Sequence, residues 1–355
     1  MSEKRADKTK SEILQLVSPG TPLRDGIDNV LRANTGGLIV VGYNDKVKEV
    51  VEGGFKIECP YSSSALYELA KMDGAIILSE NAEKILFANA QLVPNTSYTS
   101  VETGMRHRTA ERVAKETKAL VIAISQRRTI ITVYQGNFRY SLKDIGVILT
   151  KANQAVQTME KYKTVLEQSI VGLSLLEFDD IVSYADLLRV IHRFIMFLRI
   201  KNELLSYLTE LGAEGRLIRL QMNEVIASLE EEGELIIRDY MHPTADLKDV
   251  MGKLQELSCQ QFIEDAAILK AIGYNGYVAV DEVIIPRGYR MLHKIPRLPA
   301  HIIENLVQSF ENFTNIMDAT AEELDDVEGI GEVRAKKIRE GLRGFRNHLQ
   351  TERAI

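Results

Sequence analysis

A change of period near Asp144 constrains this chain more than any other feature. Before about residue 150, short apolar runs alternate with helical patterns; after it, apolar residues recur at spacings of three and four. Such spacing keeps residues on one helix face, whereas a buried strand reads as a short unbroken apolar run. The sequence predicts an α/β domain followed by helices alone. Residues 22–33 read as a helix with Leu23, Ile27, Val30 and Leu31 on one side, ended by Asn34-Thr35-Gly36-Gly37 and followed by a buried strand over 38–41. Then come a serine-capped helix over 62–72, strands over 75–78 and 84–88, a helix over 109–117 and a strand over 120–124. A hairpin of 129–134 with 137–140 brackets Gln135-Gly136. Strands interleaved with helices imply a mixed central β-sheet flanked by helices.

In the helical part, Ala152, Val156, Met159, Tyr162, Val165 and Leu166 mark one amphipathic helix, and similar patterns run over 184–208 and 214–229. Glu230, Glu231 and Glu232 read as a solvated helix face or end. The region presents no convergent catalytic set, which leaves spacing, docking or assembly as its roles. The Gly- and Pro-punctuated stretch 284–299 marks a boundary. Beyond it, helices are expected over 301–313, from 320 to 324, and over 332–342 after a glycine hairpin. The fold class is multidomain: an α/β domain over 1–148, an all-α linker domain over 149–298 and a small all-α domain over 299–355.

Charge and composition narrow the function. A formal net charge of -6 excludes a generally basic nucleic-acid coat but not a local basic face. The absence of Trp argues against carbohydrate recognition. Cys59 and Cys259 are far apart and match no metal-ligand spacing, which points to a reducing compartment. The first ten residues lack the apolar core of a signal peptide, and runs such as 119–124 are too short to cross a bilayer. A cytoplasmic protein with no membrane partner is expected. Neither a dinucleotide fingerprint nor a Walker-type phosphate loop is present.

Two segments carry phosphate chemistry. Arg106, His107, Arg108 and Thr109 lie at the mouth of a helix, where unpaired backbone N–H groups and a partial positive charge suit anions. Arginine adds planar, permanently charged donors. Asp73 precedes Gly74 at the start of a strand, where a carboxylate can hold Mg²⁺ or Mn²⁺ together with phosphate oxygens while glycine permits close approach of a nucleotide. His107 can orient a phosphate or a metal. An isolated Asp-Gly is also a common turn and an Arg-x-Arg a common solvated face, so spacing by itself leads only as far as a phosphate-binding α/β domain.

The contexts Tyr67-Glu-Leu-Ala-Lys-Met-Asp-Gly-Ala75 and Glu102-Thr-Gly-Met-Arg-His-Arg-Thr-Ala-Glu111 resemble the paired signature of diadenylate cyclases. The order of domains is similar to that of the bacterial DNA-integrity-scanning family of these enzymes, over essentially the whole chain. The resemblance implies condensation of two ATP molecules into cyclic di-3',5'-AMP with release of two pyrophosphates. It implies that Asp73 engages the divalent metal and the attacking 3'-hydroxyl, that Gly74 lies against the nucleotide, and that Arg106, His107, Arg108 and Thr109 bind the triphosphate. Leu92 matches a position beside the adenine, and Ser125 and Arg128 match positions lining the phosphate side. Gln126 replaces an arginine found in some relatives. Face-to-face cyclase domains in a homo-octamer, with the helical linker joining its halves, are implied as well.

Leu324 to Ile338 resembles the helix-hairpin-helix motif. Val327, Ile330, Ala335 and Ile338 would pack between helices, while Gly329 and Gly331 would let backbone N–H groups meet a DNA phosphate. Arg334, Lys336 and Lys337 head a segment, 332–355, with seven basic residues against Glu332, Glu340 and Glu352. Asp325, Asp326 and Glu328 oppose DNA if they face it. The resemblance implies branched or junction DNA as partner, coupled to the cyclase. A helical hairpin used for protein packing is the alternative, and a DNA-binding scaffold whose first domain only senses nucleotide is the competing function.

Overall fold

The computed structural model describes residues 2–258, 260–276 and 278–353, without the side chains of residues 2–9, 263, 352 and 353. Cys259 and the side chains of Glu352 and Arg353 lie outside the described residues. The chain forms two compact units, Met1–Asn153 with Leu205–Arg219, and Gln154–Leu204 with Leu220–Ile355.

The first unit contains α1 (Ser2–Val17), α2 (Pro22–Arg32), β1 (Gly37–Val41), α3 (Asp45–Val50), β2 (Val51–Glu52), β3 (Phe55–Pro60), α4 (Ser63–Leu69), β4 (Ala75–Leu78), β5 (Lys84–Leu92), α5 (Met105–Thr117), β6 (Leu120–Ser125), β7 (Ile130–Gln135) and β8 (Phe138–Ser141). The strands order as β2-β5-β4-β1-β6-β7-β8, with β3 also pairing β5. Only β1 and β4 run parallel, so the sheet is mixed.

The central strands are buried on both faces, which is why they read as unbroken apolar runs. Because side chains alternate, Ile39, Val41, Ile76 and Leu78 pack with α1, α2 and α4 on one face. Leu38, Val40, Ala75 and Ile77 pack with α3 and α5 on the other. Local chemistry sets several ends: Thr21 accepts from the Arg24 N–H at 3.2 Å ahead of Pro22, and Ser62 accepts from Ala65 at 3.1 Å.

Two long helices, α6 (Ile145–Phe178) and α7 (Tyr184–Leu211), each contribute to both units. Within the first, Glu210 of α7 is buried and accepts from Lys10 at 2.8 Å and Lys143 at 3.3 Å.

The second unit adds α8 (Arg216–Ile226), which begins in the first, then α9 (Leu229–Tyr240), α10 (Leu247–Glu256), α11 (Asp265–Ala271), α12 (Tyr289–His293), α13 (Ala300–Phe310), α14 (Phe313–Asp318), α15 (Ala321–Asp325) and α16 (Glu332–Arg353). The periodic stretch 214–229 is not one helix: it breaks at Ala227-Ser228. The glutamate run after the break is α9's first turn, and it is paired rather than merely solvated. Glu230 meets Lys201, and Glu232 meets Lys294 at 2.8 Å. The helix expected over 301–313 likewise stops at Phe310, where Glu311 takes a φ of 65°, and restarts after the Asn312 cap.

One core runs from Tyr289 to Leu342, so α12 packs with the last four helices. Beneath it, fully buried Arg290 pairs with Glu177 and donates to Ser174 at 3.0 Å, while Asp239 accepts the backbone N–H groups of Gly288, Tyr289 and Arg290 at 2.8, 2.6 and 3.1 Å. Burial, with Glu177 nearby, pushes the Asp239 carboxyl up to about 7 against those donors. This ionic cluster joins α6, α9 and α12, and no periodicity in the sequence announces it. Among the described residues, no helix is long and apolar enough to cross a membrane.

Candidate functional site

Sheet register brings distant loops to one end of the first unit. β1 and β4 are parallel, so their starting residues Gly37 and Ala75 lie at the same end. β6 is antiparallel to β1, with Gly37 opposite Ile124, which puts Ser125 there too. β5 is antiparallel to β4, with Ala75 opposite Ala90, so Leu92 is also at that end. Asp73, Gly74, Leu92, Ser125 and Arg128 thus share one edge. Leu92 packs partly into the core face formed with α3 and α5.

α5 starts at Met105, four residues earlier than its sequence pattern predicts, so Arg106, His107 and Arg108 occupy its first turn. Its N-cap is Gly104, with no side-chain cap, so the first-turn N–H groups have no capping side chain. The loop before it is tacked to the helix by buried Glu111, which accepts from Ser100 Oγ at 2.5 Å and from the Val101 N–H at 3.2 Å.

Arg106 reaches Asp73, with Nη2 3.9 Å from Oδ1. Asp73 is fully exposed and Arg106 42% exposed, so water screens the pair and both groups remain open to a ligand. Gly36 makes this geometry possible: a Cβ there would overlap Arg106 Nη1 and lie 2.7 Å from its Cζ. Gly74 has a φ of 103°, and a Cβ would sit 2.8 Å from the Asn89 carbonyl carbon. Glycine is therefore demanded at 74 by the neighbouring strand, whatever lies on the solvent side.

A cavity of about 590 Å³ opens beside the helix start. Arg106 and His107 line it from α5, Ser125, Arg127 and Arg128 from the β6–β7 turn, and Arg139 from β8. Four guanidinium groups surround one hollow and Glu102 balances that of Arg139, which leaves an excess of positive charge facing it on a chain of net negative charge. Asp73, Gly74, Leu92, Arg108 and Thr109 are not among its lining residues; Asp73 approaches it through Arg106.

Burial holds the His107 imidazole below the usual histidine value, reinforced by Arg139, Arg128 and Arg106 and opposed by Glu102. The ring is neutral at pH 7 and can both donate and accept. Burial tends to raise Glu102, but hydrogen bonds from Arg139 and Tyr134 outweigh it and keep the carboxyl below its ordinary value.

A metal has one obvious protein ligand. No group of three or more His, Cys, Asp or Glu side chains is arranged to hold an ion among the described residues. The Asp73 carboxylate alone fits a hard cation that takes its other oxygens from phosphate and water.

Sequence reading missed Gly36, Glu102, Arg127 and Arg139. Gly36 stood only as a turn residue and Glu102 only as part of the loop before α5, while Arg127 and Arg139 come beside Arg106 and His107 only through sheet pairing.

At the other end of the chain, Val327, Ile330, Ala335 and Ile338 are buried between α13, α15 and α16. The turn between α15 and α16 carries Gly329 at a φ of 83°, where a Cβ would press on Ile302 Cδ1 at 2.6 Å. A Cβ at Gly331 would meet nothing within 4 Å. The two glycines are thus unlike: the first is required by the backbone, the second borders open space. Arg334 donates from Nη1 to Gly329 O at 2.6 Å and Lys336 pairs with Glu332 at 2.6 Å, with both side chains exposed beside Lys337. Asp325, Asp326 and Glu328 are exposed as well.

Family models match in the same order along the chain. The nucleotide-binding region of the DisA bacterial checkpoint controller matches residues 24–138, its linker region 142–280, and a helix-hairpin-helix motif 295–348. The class is thereby a DisA-type nucleotide-binding domain joined through a helical linker to a helix-hairpin-helix module. The chain is 59% identical over 351 residues to the DNA integrity scanning protein DisA of Bacillus thuringiensis, covering 99% of this chain and 98% of that one. The Bacillus cereus protein of the same name matches to the same extent. The chain belongs to the DisA family. Among solved structures, DacA from Staphylococcus aureus aligns with 39% of this chain and 90% of its own at 21% identity, with a TM-score of 0.30. That likeness is too distant to carry any argument.

Proposed function

We propose that this chain is a diadenylate cyclase that condenses two ATP molecules into cyclic di-3',5'-AMP and two pyrophosphates, and that its C-terminal module binds branched or junction DNA. The observation that carries the reading is the meeting of Asp73 with Arg106 beside a four-arginine cavity at an uncapped helix start. The functional division we propose is 1–148 for the cyclase, 149–298 for the linker and 299–355 for DNA binding.

In this reading Leu92 lies by the adenine, Gly74 against the nucleoside, and Asp73 at the 3'-hydroxyl. Arg106, Arg108, Thr109, Ser125 and Arg128, with the α5 N–H groups, bind the phosphates. Neutral His107 gives them a hydrogen bond without adding charge. Mg²⁺ or Mn²⁺ held with Asp73 would neutralise phosphate charge and ease loss of the hydroxyl proton. The 3'-oxygen of one ATP bonds to the α-phosphorus of the other as the α–β bridging P–O bond breaks and pyrophosphate leaves. Each site orients one nucleotide, so both bonds form only when two cyclase domains face each other, a demand that two-fold pairing satisfies. An octamer, with linker helices joining such pairs, is part of the proposal, as are a cytoplasmic location and association with the nucleoid.

For the C-terminal module, the open side of Gly331 and the exposed Arg334, Lys336 and Lys337 support contact with DNA phosphates, with binding that falls as salt rises.

Incubation with ATP and either metal, followed by chromatography of the products, tests the enzyme. Cyclic di-AMP is expected, and Asp73→Asn is expected to lower its formation by at least about a hundredfold, in the range seen for loss of a group acting at the transition state. ATP bound but returned unchanged under both metals would favour the nucleotide-sensing scaffold instead.

A further inference from the structure

Glu102 ties the start of α5 to the β7–β8 hairpin. Its Oε1 accepts from Tyr134 Oη at 2.8 Å and from Arg139 Nε at 2.6 Å, and its backbone carbonyl accepts from Arg108 Nε at 3.3 Å. Tyr134 is almost wholly buried in the core, so its phenol is a fixed anchor. Burial and the nearby carboxylate raise that phenol's pKa, which keeps it a donor. The carboxylate is 14% exposed while Arg139 is 49% exposed, so the acid is held inside and the guanidinium projects outward into the cavity. Nε of Arg139 makes the bond to the carboxylate, and the guanidinium lines the cavity. A long side chain normally loses rotamer freedom when it binds a ligand. Here an internal carboxylate and a core phenol have already imposed that order.

Strand order says which part of a ligand Arg139 would meet. Asp73 adjoins β4 and Leu92 ends β5, whereas Arg139 lies on β8, four strands beyond β4 across β1, β6 and β7. At about 4.8 Å per strand, roughly 19 Å separates β4 from β8. A nucleotide whose nucleoside rests at Asp73 and Leu92 comes to Arg139 only with the far end of its phosphate chain.

We propose that Arg139 is a further substrate-binding residue that contacts the terminal phosphates of ATP, the part released as pyrophosphate, and that Glu102 is the positioning residue that aims it. The inference rests on the cyclase reading of this site. Because the Glu102–Arg139 pair has no net charge, its contribution is directional hydrogen bonding rather than long-range attraction. It follows that Arg139 distinguishes substrate from product, since cyclic di-AMP has no terminal phosphates.

The test is calorimetric binding to the full chain of 3'-deoxy-ATP, which lacks the attacking hydroxyl, and of AMP and cyclic di-AMP, all with Mg²⁺. Arg139→Gln is expected to weaken 3'-deoxy-ATP binding about tenfold while leaving AMP and cyclic di-AMP within about twofold. Glu102→Gln is expected to weaken 3'-deoxy-ATP by a smaller factor of about three, and the double variant to be no worse than Arg139→Gln, as for two residues acting through one contact. Unchanged thermal unfolding and unchanged AMP affinity in Arg139→Gln separate this role from a structural one. Equal losses for 3'-deoxy-ATP and AMP, or no loss for either, would overturn the proposal and leave the cyclase reading standing. A wild-type chain that binds none of the three nucleotides would overturn the reading beneath it as well.

Discussion

Where Gly36 lacks a side chain, the guanidinium of Arg106 takes the space. Gly36→Ala should therefore leave the fold intact, since no unusual φ is required there, while displacing Arg106 from Asp73. An ATP affinity about tenfold weaker, read by calorimetry beside an unchanged thermal midpoint, is the expected outcome, comparable to one charge-assisted hydrogen bond. His107 gives the second prediction at this scale. Its pKa lies below the unfolded value of about 6.5, so the unfolded chain binds the extra proton first. Stability linked to this group is complete above that value and is lost as pH falls through the folded pKa. Following the imidazole by NMR, Arg139→Gln should raise the His107 pKa and Glu102→Gln should lower it, because the first removes a repelling cation and the second an attracting anion. Movement in the reverse directions would contradict the assigned neighbours.

Helix-hairpin-helix geometry sets different demands on two glycines only two residues apart. Gly329 holds a left-handed φ and presses toward Ile302, so Gly329→Ala should cost about 1–3 kcal/mol of stability in urea unfolding, whatever it does to DNA binding. Gly331 faces open space, so Gly331→Ala should fold normally and weaken junction DNA in a mobility assay at fixed salt by placing a methyl where a phosphate approaches. Unchanged DNA affinity in Gly331→Ala would mean that the turn's backbone is not the contact. The start of α5 shows the same dependence on local geometry. The Arg-His-Arg segment was legible as a helix mouth, yet the helix begins four residues before its apolar pattern does, because Gly104 supplies the extended N-cap conformation and a first turn needs no buried side chain.

For the whole molecule, the proposed reaction needs paired sites and the proposed assembly joins such pairs into an octamer, so light scattering in solution should give the mass of eight chains; a monomer that still makes cyclic di-AMP would contradict the two-site argument. The sequence by itself determined the long and the buried elements: apolar runs became the doubly covered strands β1, β4 and β6, and three-four spacing became α6 and α7, whereas short elements such as α3, β2 and β3 carry no such signal. It also offered Asp73, Gly74 and the Arg106–Thr109 turn as candidates, because glycine and clustered cations signal their chemistry locally, and the fold brings Arg106 to Asp73. It did not carry Gly36 into the site, nor Glu102 with Arg139, nor the Arg290 cluster that joins α6, α9 and α12. Period and propensity act over a few residues, whereas strand order is settled by which apolar faces pack across long separations. β1 lies between β4 and β6 rather than beside β2, and that one tertiary choice brings residues 36, 73 and 125 to the same edge of the sheet.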